Sequence, residues 1–124
     1  MIIYEAIAGP KRFGEFERNL GIAKNILATR LKALLAEDIV EVSPASDGSV
    51  YREYVITRKG RALLPTLVAL AQWSSEYLFD RREVRSVPLD AKRCRPPKKL
   101  VLRSADGQLL DAGEILLRAS SVSL

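Results

Sequence analysis

Lys24, Asn25, Thr29, Arg30 and Lys32 fall within nine consecutive residues. Lys11 and Arg12 stand just before Phe13, and Arg52 comes after a Ser/Gly-rich stretch. Lysine and arginine neutralise phosphate without reading anything else. An Asn amide pairs bidentately with an adenine edge, and a Thr methyl can meet the methyl of thymine. These residue types suit the holding of a polyanion rather than the making of bonds. The rest of the sequence agrees. It has no His and a single Cys, Cys94, so there is no imidazole base, no internal disulfide and no set of about four ligands for zinc. There is no Gly-rich phosphate loop and no Ser or Cys beside an identifiable base. Asp106-Gly107 reads as a turn, and Cys94, between Arg93 and Arg95, reads as an incidental exposed thiol. Neither an enzyme nor a cofactor protein is expected.

The polar cluster needs an element to present it. Over residues 21–40, Leu27, Leu31, Leu34 and Leu35 share one helical stripe. At about 100° per residue, Asn25, Thr29 and Lys32 point roughly the other way. Ala28, Ala33 and Ala36 keep that outward side slim enough to enter a groove. Residues 13–20 predict a preceding short helix, with Phe13, Phe16 and Leu20 on its core side and a tight break at Gly21. Lys11 and Arg12 then sit at that helix's N-terminus, where free N–H groups welcome a phosphate. Two helices in this arrangement form a helix–turn–helix, whose second member (about 24–37) lies in the DNA major groove. An ordinary amphipathic surface helix carries the same stripe, so the residues after Val40 decide between the two.

Residues 39–43 are rich in β-branched types and predict a strand. Asp47-Gly48 marks a turn, and 50–56 the return strand. Tyr54 and Ile56 are expected to face the core, with Tyr51, Glu53 and Val55 facing away. A hairpin over 39–56 directly after the second helix is a wing, with Arg52 near its tip. Thr57 caps a single helix expected over 58–79, about 22 residues long and apolar on most sides. Pro65 should kink it or reset its start. Such a helix needs two burial partners, and a second copy of the chain is the simplest second one. Ile3 and Ile7 of a short helix over 1–8, with Leu63, Leu67, Leu70, Trp73 and Tyr77, are the expected dimer surface.

Three prolines and several charges mark residues 86–97 as an extended connection. Residues 98–118 read as a small β-element of two or three strands, and 120–124 as a frayed end. The expected organisation is a winged domain with its dimerisation helix over 1–80, a linker over 81–97 and the β-appendage over 98–118. The fold class is mostly α with a β-hairpin wing (α+β). The expected architecture is a winged helix–turn–helix with a long C-terminal dimerisation helix and a small C-terminal β-element. The net charge of +5 has the sign a nucleic-acid binder needs. No apolar run approaches the roughly 20 residues of a membrane span, and the N-terminus lacks the pattern of a signal peptide. A cytoplasmic protein is expected.

The run GPKRFGEFERNLGIAKNILATRLKALLAEDIVE, with EYVITRKGRALLPTLVALAQW after it, resembles the HxlR-type bacterial winged helix–turn–helix regulators. The resemblance covers about residues 5–80. It rests on the Leu27-Ala28-Thr29-Arg30-Leu31-Lys32-Ala33-Leu34 pattern, on Glu53, Tyr54, Thr57 and Gly60, on Leu63-Leu64-Pro65 and on Trp73. It implies a homodimeric transcription factor binding an inverted-repeat site in double-stranded DNA. The DNA-contacting role carries over to Lys11, Arg12, Lys24, Asn25, Thr29, Arg30 and the wing. Departures are informative. The family's longer N-terminal helix with its Gly-Lys-Trp stretch is not seen, which puts part of the dimer surface in question. No Cys stands near the N-terminus, so the redox role of some members does not transfer. The Ser-Pro that often opens the second helix is Ala23-Lys24, and a common wing Arg aligns with Tyr51, with Arg52 adjacent. Cys94 is alone, so no metal is expected.

The expected function is therefore a DNA-binding regulator, with Lys32 and Arg52 added to the contact residues. A small-molecule effector is left open, its expected place lying between the long C-terminal helix and the winged core, near Trp73 and Tyr77. The alternative is a winged-helix module for protein–protein interaction or dimerisation without DNA. It draws support from residues 11–61, where ten Lys/Arg face seven Asp/Glu.

Overall fold

The computed structural model describes residues 2–45, 47–80 and 87–119. The expected linker start at 81–86 and the expected frayed end at 120–124 lie outside the described residues.

Helix α1 spans Ile2–Ala8 and buries Ile2, Ile3 and Ala6. Seven residues are too few for a stable isolated helix, so packing holds it. Helix α2 (Phe13–Leu20) buries Phe16 and stops at Gly21, which takes φ 63° and donates its N–H to the Glu17 carbonyl at 3.0 Å. A side chain there would strain the left-handed backbone, so Gly21 makes the turn. Helix α3 (Lys24–Ala36) buries Leu27 and Leu31, and with Phe16 and Val40 they are the largest fully buried side chains. It ends with the Ile39 N–H donating to the Leu34 carbonyl at 2.9 Å and the Asp38 N–H to Leu35 at 3.1 Å. Asp38 takes φ 59° to do so.

Strands β1 (Val40–Pro44) and β2 (Arg52–Ile56) pair antiparallel with Val40 opposite Ile56 and Pro44 opposite Arg52. Val50 and Tyr51, expected in the return strand, lie outside this ladder. On its other side β2 meets Lys11, whose N–H donates to the Tyr54 carbonyl at 3.1 Å and whose carbonyl accepts the Tyr54 N–H at 2.7 Å. Tyr54 meets Phe16 edge-on at 6.0 Å between ring centres, and Ile56 is buried. Both face the core as expected. Glu53 does not face solvent as expected: it is only 8% exposed. With β1 on one side of β2, Lys11 on the other and α1 packed against it, little of this strand is left to water.

The helix expected as one piece over 58–79 is two, α4 (Arg58–Arg61) and α5 (Leu64–Tyr77). Pro65 sits in the first turn of α5, where its missing N–H costs nothing, so it resets the start rather than kinking one long helix. Thr57 caps α4: its Oγ1 accepts the Gly60 N–H at 3.0 Å and donates toward the Asp38 and Ile39 carbonyls at 2.6 and 2.9 Å. Lys59 Nζ donates to the Glu37 carbonyl at 2.8 Å, a cation on the C-terminal end of α3 where the helix dipole favours one.

The chain divides into two compact units, Met1–Thr66 and Leu67–Leu124, the boundary falling within α5. The buried core residues all belong to the first unit. In the second, among the described residues, none is buried. Its extended segment is tied to α5 through Gln72, whose Nε2 donates to the Lys98 carbonyl at 3.1 Å while its Oε1 accepts the Leu100 N–H at 2.8 Å. Lys99 pairs with Glu76 at 3.2 Å. The β-element expected over 98–118 reduces to one antiparallel bridge, Arg103 to Leu109, around the Asp106-Gly107 turn. A short 3-10 turn comes next at Ala112–Glu114. Asp111 and Glu114 supply the polar groups that close this turn on itself, which ends any extended run there. Among the described residues no helix is long and apolar enough to cross a membrane.

Candidate nucleic-acid interface

The burial of Leu27 and Leu31 fixes which side of α3 looks outward. Asn25, Thr29 and Lys32 occupy that side and are exposed; Arg30 is exposed at its edge, and Lys24, in line with Leu31, is exposed at the first turn of the helix. Lys24 is the first helical residue, and Ala23 before it makes no side-chain cap. The first N–H groups of α3 therefore meet a lysine and no capping hydroxyl, an end that favours an external anion. The Thr29 hydroxyl donates to the Asn25 carbonyl at 2.8 Å. Its proton is committed to the helix, leaving the methyl and the oxygen lone pairs for a partner.

The other predicted contact residues gather at α2 and the wing. Arg52 is exposed and opens β2 opposite Pro44, so the tip itself is made by Asp47, Gly48, Ser49, Val50 and Tyr51. Val50 is 94% exposed. Lys11 is half-buried by its pairing with Tyr54, and its Nζ reaches the Gly9 carbonyl at 3.4 Å. Arg12 is engaged already. Its guanidinium pairs with the Asp47 carboxylate, donates to Ser49 Oγ at 3.1 Å and lies 5.1 Å from the centre of the Tyr51 ring. Its backbone N–H donates to Glu15 Oε1 at 3.1 Å, so a carboxylate already occupies the start of α2. The Ser49 backbone N–H and hydroxyl, with Arg12 beside them, hold the Asp47 carboxyl below its ordinary pKa.

A shallow groove between α2 and the wing is lined by Arg12, Phe13, Glu15, Arg18, Tyr51 and Arg52. It brings Arg18 beside Arg12 and Arg52. Sequence reasoning passed over Arg18, although its place two positions before the end of α2 was a usable signal. It also passed over Asp47 and Ser49, whose partner lies 35 and 37 positions away.

Of the residues expected at a dimer surface, Ile3 is buried in its own unit and Ile7, Leu63 and Leu67 are half-buried. Leu70, Trp73 and Tyr77 are 58%, 51% and 66% exposed, and the Trp73 and Tyr77 rings lie 5.9 Å apart. In the second unit, Ala71, Ser75, Val87, Pro88, Pro96 and Pro97 line an open, mainly apolar groove of about 540 Å³.

Known proteins are similar to this chain in sequence and fold. The HxlR-like helix–turn–helix family model matches residues 1–82. An HTH-type transcriptional regulator of Mycobacterium tuberculosis is 40% identical over 78 residues, which is 63% of this chain and 49% of that protein. The chain thus spans about half the length of the mycobacterial relatives it matches. Among solved structures, PA1607, described as a candidate transcription factor, superposes with a TM-score of 0.83 at 39% identity, covering 96% of this chain and 83% of that one. The reduced form of the transcriptional regulator YodB from Bacillus subtilis gives 0.57 at 33% identity, covering 62% and 76%. A family match over 82 of 124 residues, on a fold with the helix–turn–helix and wing in place, shows that the chain belongs to the HxlR-like helix–turn–helix family.

Proposed function

We propose that the protein is a DNA-binding transcriptional regulator that acts as a homodimer on an inverted-repeat operator. The observation that carries this reading is the split of α3: Leu27 and Leu31 are buried while Lys24, Asn25, Thr29, Arg30 and Lys32 are all exposed. The helix seats itself with one stripe and offers the other to a partner. Lys11, Lys24, Arg30, Lys32 and Arg52 supply charge to phosphates and fix register. Asn25 and Thr29 read base edges. The wing reaches the flanking backbone or minor groove.

Dimerisation is supported by α5. Leu70, Trp73 and Tyr77 leave a large apolar surface in water, and such surfaces mark interaction sites. A second copy of the chain covers them and sets the spacing of two α3 helices on a two-fold site. A small-molecule effector, where one acts, has the apolar groove of the second unit as a cavity of suitable size.

The test is a fluorescence-anisotropy titration of the protein against random and genomic duplex pools at two salt concentrations, with light-scattering mass on the same sample. The expected result is a dimer mass, a steep loss of affinity with salt and enrichment of an inverted repeat. A dimer that ignores duplex at low salt overturns the DNA reading and leaves a protein-interaction module.

A further inference from the structure

We infer that Arg12 is a wing-positioning residue: its guanidinium latches the wing tip to the start of α2. The inference rests on the DNA-binding reading for its consequence, not for its geometry.

Arg12 lies in extended backbone just before α2, and the adjacent Lys11 is bridged to β2. Its place is therefore set by two elements of the first unit. From there one side chain engages three wing residues. It pairs with the Asp47 carboxylate, donates to Ser49 Oγ at 3.1 Å and stacks against Tyr51 at 5.1 Å. The other Asp47 oxygen accepts the Ser49 N–H at 2.9 Å, so the carboxylate shapes the turn and binds the latch together. Beyond the ladder, ties among the described residues of the tip include Ala45 donating to the Tyr51 carbonyl at 3.2 Å and Gly48 to the Ala45 carbonyl at 3.1 Å. A two-stranded hairpin is marginal by itself, and a guanidinium whose Nη2 meets a carboxylate and a hydroxyl while its Cζ lies over a ring is a task for arginine rather than lysine. Its consequence is a wing held in a fixed relation to α2, and so ready to meet the duplex together with α3.

A free phosphate clamp predicts something different. If Asp47 merely masked Arg12, removing that carboxylate would expose a cation, take a negative charge from the DNA-facing side and tighten binding. A latch predicts the opposite sign.

The experiment compares the full chain with Arg12→Ala, Arg12→Lys, Asp47→Ala and the Arg12→Ala/Asp47→Ala double variant. Amide hydrogen exchange of Gly48, Ser49 and Tyr51 is read without DNA, and duplex affinity is read by anisotropy. Faster exchange in both Arg12 variants is expected. So is a loss of duplex affinity of about threefold or more in Asp47→Ala, from the size of one ion pair, with the double variant no weaker than Arg12→Ala. Unchanged exchange in Arg12→Ala, wild-type behaviour of Arg12→Lys, or tighter duplex binding by Asp47→Ala overturns the latch. If the unaltered protein binds no duplex at low salt, the regulator reading fails and the exchange comparison alone decides for or against the latch.

Discussion

A Cβ atom placed on Gly60 would lie 2.3 Å from the Ile39 carbonyl oxygen and 2.6 Å from Ile56 Cδ1. Helix α4 comes this close because Thr57 draws it in: the Thr57 N–H donates to the same Ile39 carbonyl at 3.0 Å, and its hydroxyl takes the Gly60 N–H. Gly60 is needed for the approach of two backbones. The Ile39 carbonyl belongs to the segment leaving α3, so the contact seats the helix that carries the candidate interface.

Gly60→Ala is accordingly expected to lower stability by roughly 1–3 kcal/mol, the usual cost of overpacking. Urea unfolding monitored by circular dichroism measures it. An unchanged midpoint would show that α4 moves aside freely.

The left-handed residue that closes α3 is Asp38 rather than glycine. An L side chain at φ 59° is strained, and a carboxylate beside the negative end of a helix is unfavourable. Asp38→Gly keeps the Ile39-to-Leu34 and Asp38-to-Leu35 bonds, which use backbone alone. It is expected to raise stability by about 0.5–1 kcal/mol, read from the same unfolding curves. A lower midpoint would mean that the Asp38 side chain has a favourable role.

Two residues on the outward face of α3 are expected to fail in different ways. Asn25→Ala should relax preference at one base pair per half-site, at a cost of roughly 1–3 kcal/mol there. Lys32→Ala should weaken all duplexes alike and flatten the salt slope by about one unit. Binding selections over randomised duplexes, repeated at two salt concentrations, separate the two. A uniform loss in Asn25→Ala, or an unaltered slope in Lys32→Ala, would reassign the residue concerned.

The wing tip should respond to acid. Asp47 is held below its ordinary 3.8, first by the Ser49 backbone N–H, then by the Ser49 hydroxyl and by Arg12. Since the folded pKa is depressed, its contribution is present above the unfolded value and is lost as pH falls through the lower folded one. Ser49 amide and Tyr51 ring resonances should therefore titrate together with a midpoint under 3.8, and Asp47→Ala should abolish that titration. A midpoint at or above 3.8 would show that the carboxylate is free in solution.

Much of the first unit was legible in the amino-acid order because local chemistry decides it. The bounds of α2 come from Phe13, Phe16 and Leu20 on one stripe and Gly21 where the chain leaves the helix left-handed. Those of α3 come from Leu27 and Leu31, and the hairpin from β-branched runs around Asp47-Gly48. The outward set Asn25, Thr29 and Lys32 comes with them, since helical period alone places these residues opposite the leucines. Pro65 announced a disruption, but not whether it bends a helix or begins one. That depended on Thr57 and Gly60 closing α4 against Ile39 first. Glu53 was misplaced because alternation along a strand says nothing about what packs on each side, and Lys11 and α1 come from more than forty residues away. The segment after Lys98 carries short apolar runs such as Leu100-Val101-Leu102 that read as strands, yet its polar backbone is met by Gln72 and by tight turns instead of a ladder. Arg12 is the plainest case. Its type and its place before a helix suggested a hand for phosphate, and only the folded chain brings Asp47, Ser49 and Tyr51 within its reach. Short-range periodicity and turn chemistry are written in neighbouring residues, whereas the partner of a long charged side chain is set by which distant loop the fold carries past it.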